Sequence, residues 1–359
     1  MMGTFTAKKA YYTGGARKAS CAVRFLLASL LVAAWPGVAG CGAGPPAQFS
    51  FTGEALGSFY TVTVVAPPAG FDEEQARQIT QDALDTVNEL MSTYREDSEL
   101  SRFNRHDDAT PFRVSAPTHE VFRMAQEIAV QSNGAFDVTV GPLVNAWGFG
   151  PEAFQQAPDE VTLAMLRERV GYEKITVHGD GAVSKKHPEV YCDLSGIAKG
   201  YATDAVAIAL EEAGVTRYMV EVGGEIRVAG ANADGNPWRL GIEKPLPDTR
   251  QLHTVVHLTE GALATSGDYR NMYELDGRRF SHTIDPNTGR PVKHNLVSAS
   301  VIHESCAMAD GYATALMALG PEKGVSFAEQ QNLAVMLIIA DEDNGFETIV
   351  TAQFQAYLQ

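Results

Sequence analysis

Asp310 and Thr314 lie four residues apart in an alanine-rich stretch, Ala309-Asp-Gly-Tyr-Ala-Thr314. In a helix that spacing puts a carboxylate and a hydroxyl on one face. Oxygen donors so placed suit Mg²⁺, which takes few ligands from protein and fills its remaining positions from phosphate and water. A similar stretch occurs earlier, Asp193-Leu-Ser-Gly-Ile-Ala-Lys-Gly-Tyr-Ala-Thr-Asp204, so each run places a carboxylate at the start of a helix. Helix starts carry unpaired amide protons and the positive end of the dipole, and they attract anions and phosphates. Two such starts in one site would handle a metal-bound diphosphate. Two ordinary capped helices would carry the same pattern.

Three further segments have residue types suited to that chemistry. Thr265-Ser266-Gly267-Asp268-Tyr269-Arg270 combines small hydroxyls, a glycine and a guanidinium, a pattern that can clamp phosphate through backbone amides and the arginine fork. Glu221-Val-Gly-Gly-Glu225 joins two expected strands by a tight turn. His282-Thr-Ile-Asp285-Pro-Asn-Thr-Gly-Arg-Pro291 is a turn-rich loop whose histidine and aspartate either act chemically or brace the turns. The chain has no GxGxxG, GxSxG or GxxxxGK[ST] motif. It has no Cys/His set with metal spacing either, which argues against zinc.

The ends and totals narrow the class. Lys8, Lys9, Arg17, Lys18 and Arg24 form a basic stretch without acids, followed by an apolar run from Phe25 to Trp35 and then Val38-Ala-Gly-Cys41. This is the layout of a secretory signal over residues 1–40, with an apolar run too short to span a membrane comfortably. Cys41, directly after Ala-Gly, resembles the lipidated cysteine of bacterial lipoproteins. Residues 41–50 then read as a tether and 51–359 as the folded part, one domain or two fused lobes. Without the five basic residues of the leader, 23 of the 28 Lys plus Arg remain against 44 Asp plus Glu, a net charge of −21. So acidic a chain is not a nucleic-acid binder, and it needs a cation or a local basic pocket to handle an anionic substrate. Cys192 and Cys306 are the remaining thiols of the folded part, too few for a disulfide scaffold.

Periodicity predicts the elements. Residues 59–65 alternate as a strand. Asp72 caps a helix of about 18 residues with Ile79, Ala83, Leu84, Val87, Leu90 and Met91 on one side. Residues 92–104 read as an ordered loop, 117–131 as a helix with Pro117 in its first turn, and 135–151 show no clear period. A short helix is expected at 162–169, strands at 173–178 and 188–192, and a helix at 196–213. Strands follow at 217–222, 225–230, 238–243, 252–258 and 262–265, then helices at 306–319 and 321–330 and an apolar strand at 333–340, with a last strand after Gly345. The middle strands alternate or are joined too tightly for repeated βαβ units. The fold class is therefore α+β, mostly antiparallel sheet with packed helices.

Taken in order, these segments resemble the ApbE family of FAD:protein FMN transferases over nearly all of the chain beyond the leader. The resemblance rests on Met91-Ser-Thr-Tyr94 with Ser98 and Phe103-Asn104, Gly134-Ala-Phe-Asp137 through Gly141-Pro142, and Trp147-Gly-Phe-Gly150. Asp193-Leu-Ser-Gly196 with Lys199-Gly200, Val222-Gly-Gly224, Thr265-Ser-Gly-Asp268, His282 with Asp285-Pro286 and Gly289, and Ala309-Asp310 with Thr314 complete it. It implies a fold related to the T-fold, binding FAD as substrate in an inter-lobe cleft. It also implies Mg²⁺-dependent transfer of the FMN half to a threonine or serine hydroxyl of a target protein, with release of AMP. Such targets include membrane subunits of sodium-pumping quinone reductases.

Carried over position by position, the resemblance implies flavin contacts at Leu56, Tyr94, Ala135, Phe136, Asp137, Asp193, Lys199 and Ile284. Metal ligation falls on the carbonyl of Gly196 with Asp310 and Thr314. The family usually has methionine where Leu56 stands, so the thioether contact is lost there. For the proton of the attacking hydroxyl, His282, Asp285 and Asp268 are rival acceptors by residue type. Cys192 and Cys306 are expected near one another without a required bond. FAD hydrolysis to FMN and AMP, and a flavin-holding lipoprotein without activity, are the alternative readings.

Overall fold

The computed structural model describes residues 46–150, 157–246, 249–267, 272–275, 278–341 and 345–358, with the backbone alone at 272–275 and 278–280. The leader, Cys41, Asp268 and Arg270 lie outside the described residues.

Strands β1 (Gln48–Ala55) and β2 (Ser58–Val65) pair in unbroken register from Gln48 opposite Val65 to Ala55 opposite Ser58. β1 was not anticipated, and it begins inside the stretch expected as tether. Leu56 and Gly57 join the two strands with φ of 52° and 70°. A two-residue turn that follows strand twist requires positive φ at both places, and a leucine there carries a steric cost that glycine does not.

Helix α1 (Glu73–Met91) opens on Asp72 in a reciprocal cap with Gln75 and buries Ala76, Thr80, Leu84, Val87 and Met91 along one stripe. Within the expected loop a short helix forms, α2 (Glu99–Arg105), with the Ser98 hydroxyl accepting from the Ser101 amide. Seven residues are too few to display a 3.6-residue period, so the cap was the available signal.

Next come β3 (Phe112–Arg113), α3 (Ala116–Gln131), a 3₁₀ turn at Val138–Val140, α4 (Gly141–Ala146) and α5 (Glu160–Arg167). β4 (Ile175–His178) and β5 (Ala182–Lys185) pair with each other, and β5 also pairs with β3. The strand expected at 188–192 is not a strand. Its backbone groups at Cys192 are taken by the Asn104 side chain instead of a neighbouring strand.

Helix α6 (Ala198–Glu212) precedes β6 (Tyr218–Val222), β7 (Glu225–Ala229), β8 (Trp238–Glu243), β9 (Leu252–Leu258) and β10 (Glu260–Gly267). The pairs β11 (Met272–Leu275) with β12 (Arg278–Ser281) and β13 (Ile284–Asp285) with β14 (Arg290–Pro291) lead to β15 (Leu296–His303). Then come α7 (Cys306–Gln330), β16 (Ala334–Ala340), β17 (Phe346–Val350) and α8 (Ala352–Gln355). α7 is broken at Gly320, φ 76°, before Pro321, which matches the two helices expected there. Proline cannot continue a helix hydrogen-bond ladder.

An eight-stranded sheet in the order β1-β2-β6-β7-β10-β15-β16-β17, antiparallel throughout, carries the fold. One face packs against α1, α6 and α7 through Val62, Val64, Val220, Val222, Ala299 and Val301. The other face, with Val65, Val228, Leu263, Ile302, Met336 and Ile338, lies against Trp238, Leu240 and Val256 of the β8–β9 pair and Phe354 of α8. Covering on both faces explains why β16 reads as a continuous apolar run rather than an alternation. This is the α+β arrangement that the sequence predicts.

Candidate active site

A cavity of about 1530 Å³ opens where the β1–β2 turn, the end of α1, the 135–150 segment, the start of α6, the β6–β7 turn and the end of β10 meet. Leu56, Tyr94, Ala135, Phe136, Asp137, Asp193, Gly196, Lys199, Thr265, Ser266, Gly267, His282, Ile284, Asp310 and Thr314 all line it. Residues spread over more than 250 positions of sequence thus share one wall. Asp285 does not line it; its carboxylate accepts from the Asn287 amide at 2.9 Å and braces the turn.

Two of the segments expected to contact flavin are tied to one another. The Asp193 amide donates to the Val138 carbonyl at 2.7 Å. Asp137 accepts from the Thr139 amide and hydroxyl at 2.8 and 2.7 Å, and Asp193 accepts from the Ser195 amide and hydroxyl at 2.8 and 2.5 Å. Burial pushes the Asp137 carboxyl up to about 6, against the pull of those Thr139 hydrogen bonds. Leu56 reaches the wall from the strained turn, while Tyr94 is 70% exposed and stands at the rim. The ring of His282 meets Phe149 edge-on, centroids 6.3 Å apart. Trp147 Nε1 donates to the Gly289 carbonyl at 2.8 Å, fastening the 147–150 segment to the loop after His282.

The oxygen donors converge between the turn before α6 and the second and third turns of α7. Asp310 is the fifth residue of α7 rather than at its start as expected, and the first α7 amides are taken by Asp204 and Ser305. Thr314 Oγ1 donates to the Gly196 carbonyl at 3.2 Å, and one Asp310 oxygen accepts from the Gly200 amide at 3.0 Å. Burial pushes the Asp310 carboxyl up, and the neighbouring Lys199 ammonium offsets part of that rise. Among the described residues no group of three or more His, Cys, Asp or Glu could hold a metal. The Gly196 carbonyl, Asp310 carboxylate and Thr314 hydroxyl form a different kind of set, one carboxylate with neutral oxygens. That composition fits a hard cation that keeps phosphate or water as its other ligands.

Glu225 is a charged wall residue to which the sequence assigns no role. It is 2% exposed and accepts a hydrogen bond from the Lys199 ammonium, whose side chain is 36% exposed. Its second oxygen, Oε2, has no hydrogen-bond partner among the described residues. Burial pushes the Glu225 carboxyl up and Lys199 pulls it partly back. For Lys199, burial disfavours the ammonium, but the charges of Glu225 and Asp310 outweigh it and hold the group above its ordinary range. The glycine pair of Glu221-Val-Gly-Gly-Glu225 explains itself as a turn, and the partner lysine lies 26 positions away. Sequence spacing therefore gave no hint of this pair.

Cys192 and Cys306 are both buried and free. Burial pushes both thiols up, so neither is a ready nucleophile.

An antiparallel α+β frame with one large cavity, lined in part by carboxylate, hydroxyl and carbonyl oxygens, defines the class. The ApbE family model matches residues 56–337, and the chain belongs to the ApbE family. The chain is 45% identical over 333 residues to the FAD:protein FMN transferase of Vibrio cholerae serotype O1, covering 92% of this chain and 97% of that protein. It is 39% identical over 310 residues to the Escherichia coli K12 FAD:protein FMN transferase, covering 85% and 88%. Among solved structures, the flavin transferase ApbE of Vibrio cholerae superposes with a TM-score of 0.81 at 44% identity, covering 88% of this chain and 100% of that one. The Pseudomonas stutzeri flavinyl transferase ApbE in its apo form gives 0.80 at 36% identity, covering 88% and 98%.

Proposed function

We propose that this enzyme transfers the FMN moiety of FAD to a threonine or serine hydroxyl of a target protein, with Mg²⁺ as the required cation and AMP as the second product. The observation that carries the reading is the single cavity in which the flavin-contact segments meet Gly196, Asp310 and Thr314. The relatives' names supply the reaction class.

In this mechanism the target hydroxyl oxygen bonds to the FMN phosphorus, the bond from that phosphorus to the bridging oxygen breaks, and AMP leaves with that oxygen. The Gly196 carbonyl, Asp310 and Thr314 would hold Mg²⁺, which would offset the diphosphate charge and the charge developing on the departing phosphate. Phe136 and Ile284 offer apolar surface to the flavin, with Leu56 and Tyr94 at the entrance. Lys199, oriented by Glu225, adds positive charge against phosphate. Thr265, Ser266 and Gly267 contribute the phosphate-facing end of β10. His282 is the proposed acceptor of the hydroxyl proton, since it lines the cavity while Asp285 braces a turn.

The proposal extends to location. A leader over residues 1–40 is removed, Cys41 is lipidated, and the enzyme works on the outward side of a membrane on targets such as quinone-reductase subunits. No helix among the described residues is long and apolar enough to cross a membrane. Incubation of the protein with FAD, Mg²⁺ and such a subunit should add one FMN mass to a threonine or serine, located by peptide mass spectrometry. Free FMN as the sole flavin product across several acceptors would favour FAD hydrolysis instead.

A further inference from the structure

We infer that Asp204, held by Arg227, is a positioning residue that fixes the start of α7 against the start of α6 and thereby sets Gly196, Asp310 and Thr314 at metal-binding distances. The inference rests on the metal-site reading above.

Asp204 lies on α6, is 6% exposed and does not line the cavity. Its carboxylate accepts from the Ser305 hydroxyl at 2.9 Å and from the Cys306 and Ala307 amides at 3.0 Å each. Arg227 Nη1 donates to it at 2.8 Å. Those amides are at the first positions of α7, where a helix leaves its N–H groups unpaired and its dipole favours a carboxylate. α7 answers in kind: Asp310, four residues beyond Cys306, accepts from the amide of Gly200, four residues before Asp204.

Two links, each one turn apart on each helix and running in opposite senses, lock both sliding and rotation. Gly200 makes the approach close enough, because a Cβ there would lie 2.3 Å from the Cys306 carbonyl oxygen and 2.8 Å from the Asp310 Cβ. The magnitudes explain why the lock matters to a cation. Slippage by one residue moves a side chain about 1.5 Å along a helix axis, whereas ligand distances in metal sites hold to about 0.2 Å. Thr314 sits on α7 and Gly196 in the turn that leads into α6, so a slip of one helix along the other separates them directly. Arg227 belongs to β7, the strand that begins with Glu225, so the lock is also tied to the sheet beneath the cavity.

The test is Mn²⁺ binding to the full-length protein, read by electron paramagnetic resonance without turnover, with FAD binding measured alongside. Asp204→Asn keeps the size of the side chain but loses an acceptor for the α7 amides. It should weaken Mn²⁺ by about tenfold or more, the scale seen when groups that orient metal ligands are removed, with FAD affinity retained. Thr351→Ala is the stability control, since among the described residues that buried hydroxyl bonds only the backbone of Leu333 and Val335. It should lower the melting temperature and leave Mn²⁺ affinity unchanged; equal weakening in both variants would overturn the inference.

Wild-type Mn²⁺ affinity in Asp204→Asn, with affinity lost in Asp310→Asn, overturns the positioning role alone. Wild-type affinity in Asp310→Asn overturns the metal-site reading and this inference with it. Where Asp204→Asn does not fold, Arg227→Gln reads the same quantity, with severalfold weakening expected and wild-type affinity counting against the lock.

Discussion

The side chain of Asn104 holds the backbone of Cys192 in both directions, donating from Nδ2 to its carbonyl and accepting at Oδ1 from its amide, each at 2.8 Å. This contact spans 88 positions and fixes the chain immediately before Asp193. Leaving two buried backbone groups without partners costs on the order of 1–3 kcal/mol each. Asn104→Ala should therefore lower stability by at least about 2 kcal/mol and weaken FAD binding, since Asp193 lines the cavity. Chemical denaturation and FAD fluorescence titration check both; a variant with wild-type stability would show that water or a shifted side chain replaces the contact.

Asp137 gives a pH dependence with a definite sign. Its folded-state value of about 6 lies above the ordinary 3.8. The native state therefore keeps a proton that the unfolded chain releases, and this group's contribution to stability falls as pH rises through that window. The total change is on the order of 3 kcal/mol. Asp137→Asn lacks the titration, so the stability of the native protein relative to the variant should decline from the bottom to the top of the window and then level off. A difference that stays flat with pH contradicts the assigned burial effect.

The contrast between legible and hidden parts has physical causes. α1 shows in the sequence because its buried stripe runs for five turns behind an Asp72 cap. The break at Gly320-Pro321 shows because proline has a local effect that no partner can repair. The α2 segment reads as a loop because seven residues hold too few apolar positions to reveal a period, and residues 188–192 read as a strand because alternation says nothing about which group accepts the hydrogen bonds. Leu56, Asp310 and Thr314 were found through family motifs and helix spacing, and they do share one cavity. Glu225 and Asp204 were not assigned roles, because each works through a distant partner: Lys199 in one case, and Arg227 with the start of α7 in the other. Such pairings are a property of the assembled sheet and the helices packed on it, not of local pattern.

Metal dependence should follow Asp310. Asp310→Ala removes the carboxylate and the acceptor of the Gly200 amide, and turnover should fall at least about a hundredfold, comparable to removing one preorganised electrostatic contact. Circular dichroism should show the fold retained. A chelator should silence the native enzyme, with activity restored by Mg²⁺. Undiminished activity of the variant under chelation would eliminate the proposed cation.

Cys41→Ala tests the proposed anchor. Acyl chains on a diacylglyceryl cysteine suffice for stable membrane attachment, where one chain alone is marginal. The variant should appear in the soluble fraction after cell breakage, and the native protein in the membrane fraction with a lipid-modified amino terminus by mass analysis. Equal membrane retention of both would contradict lipidation at this residue.

The ratio of bound FMN to released AMP separates transfer from hydrolysis. With limiting FAD, Mg²⁺ and excess acceptor subunit, AMP is quantified by chromatography while covalently bound FMN is quantified on the denatured acceptor. One FMN should be bound for each AMP released, with the ratio unchanged as the reaction proceeds. AMP accumulating with all of the FMN free in solution would contradict transfer.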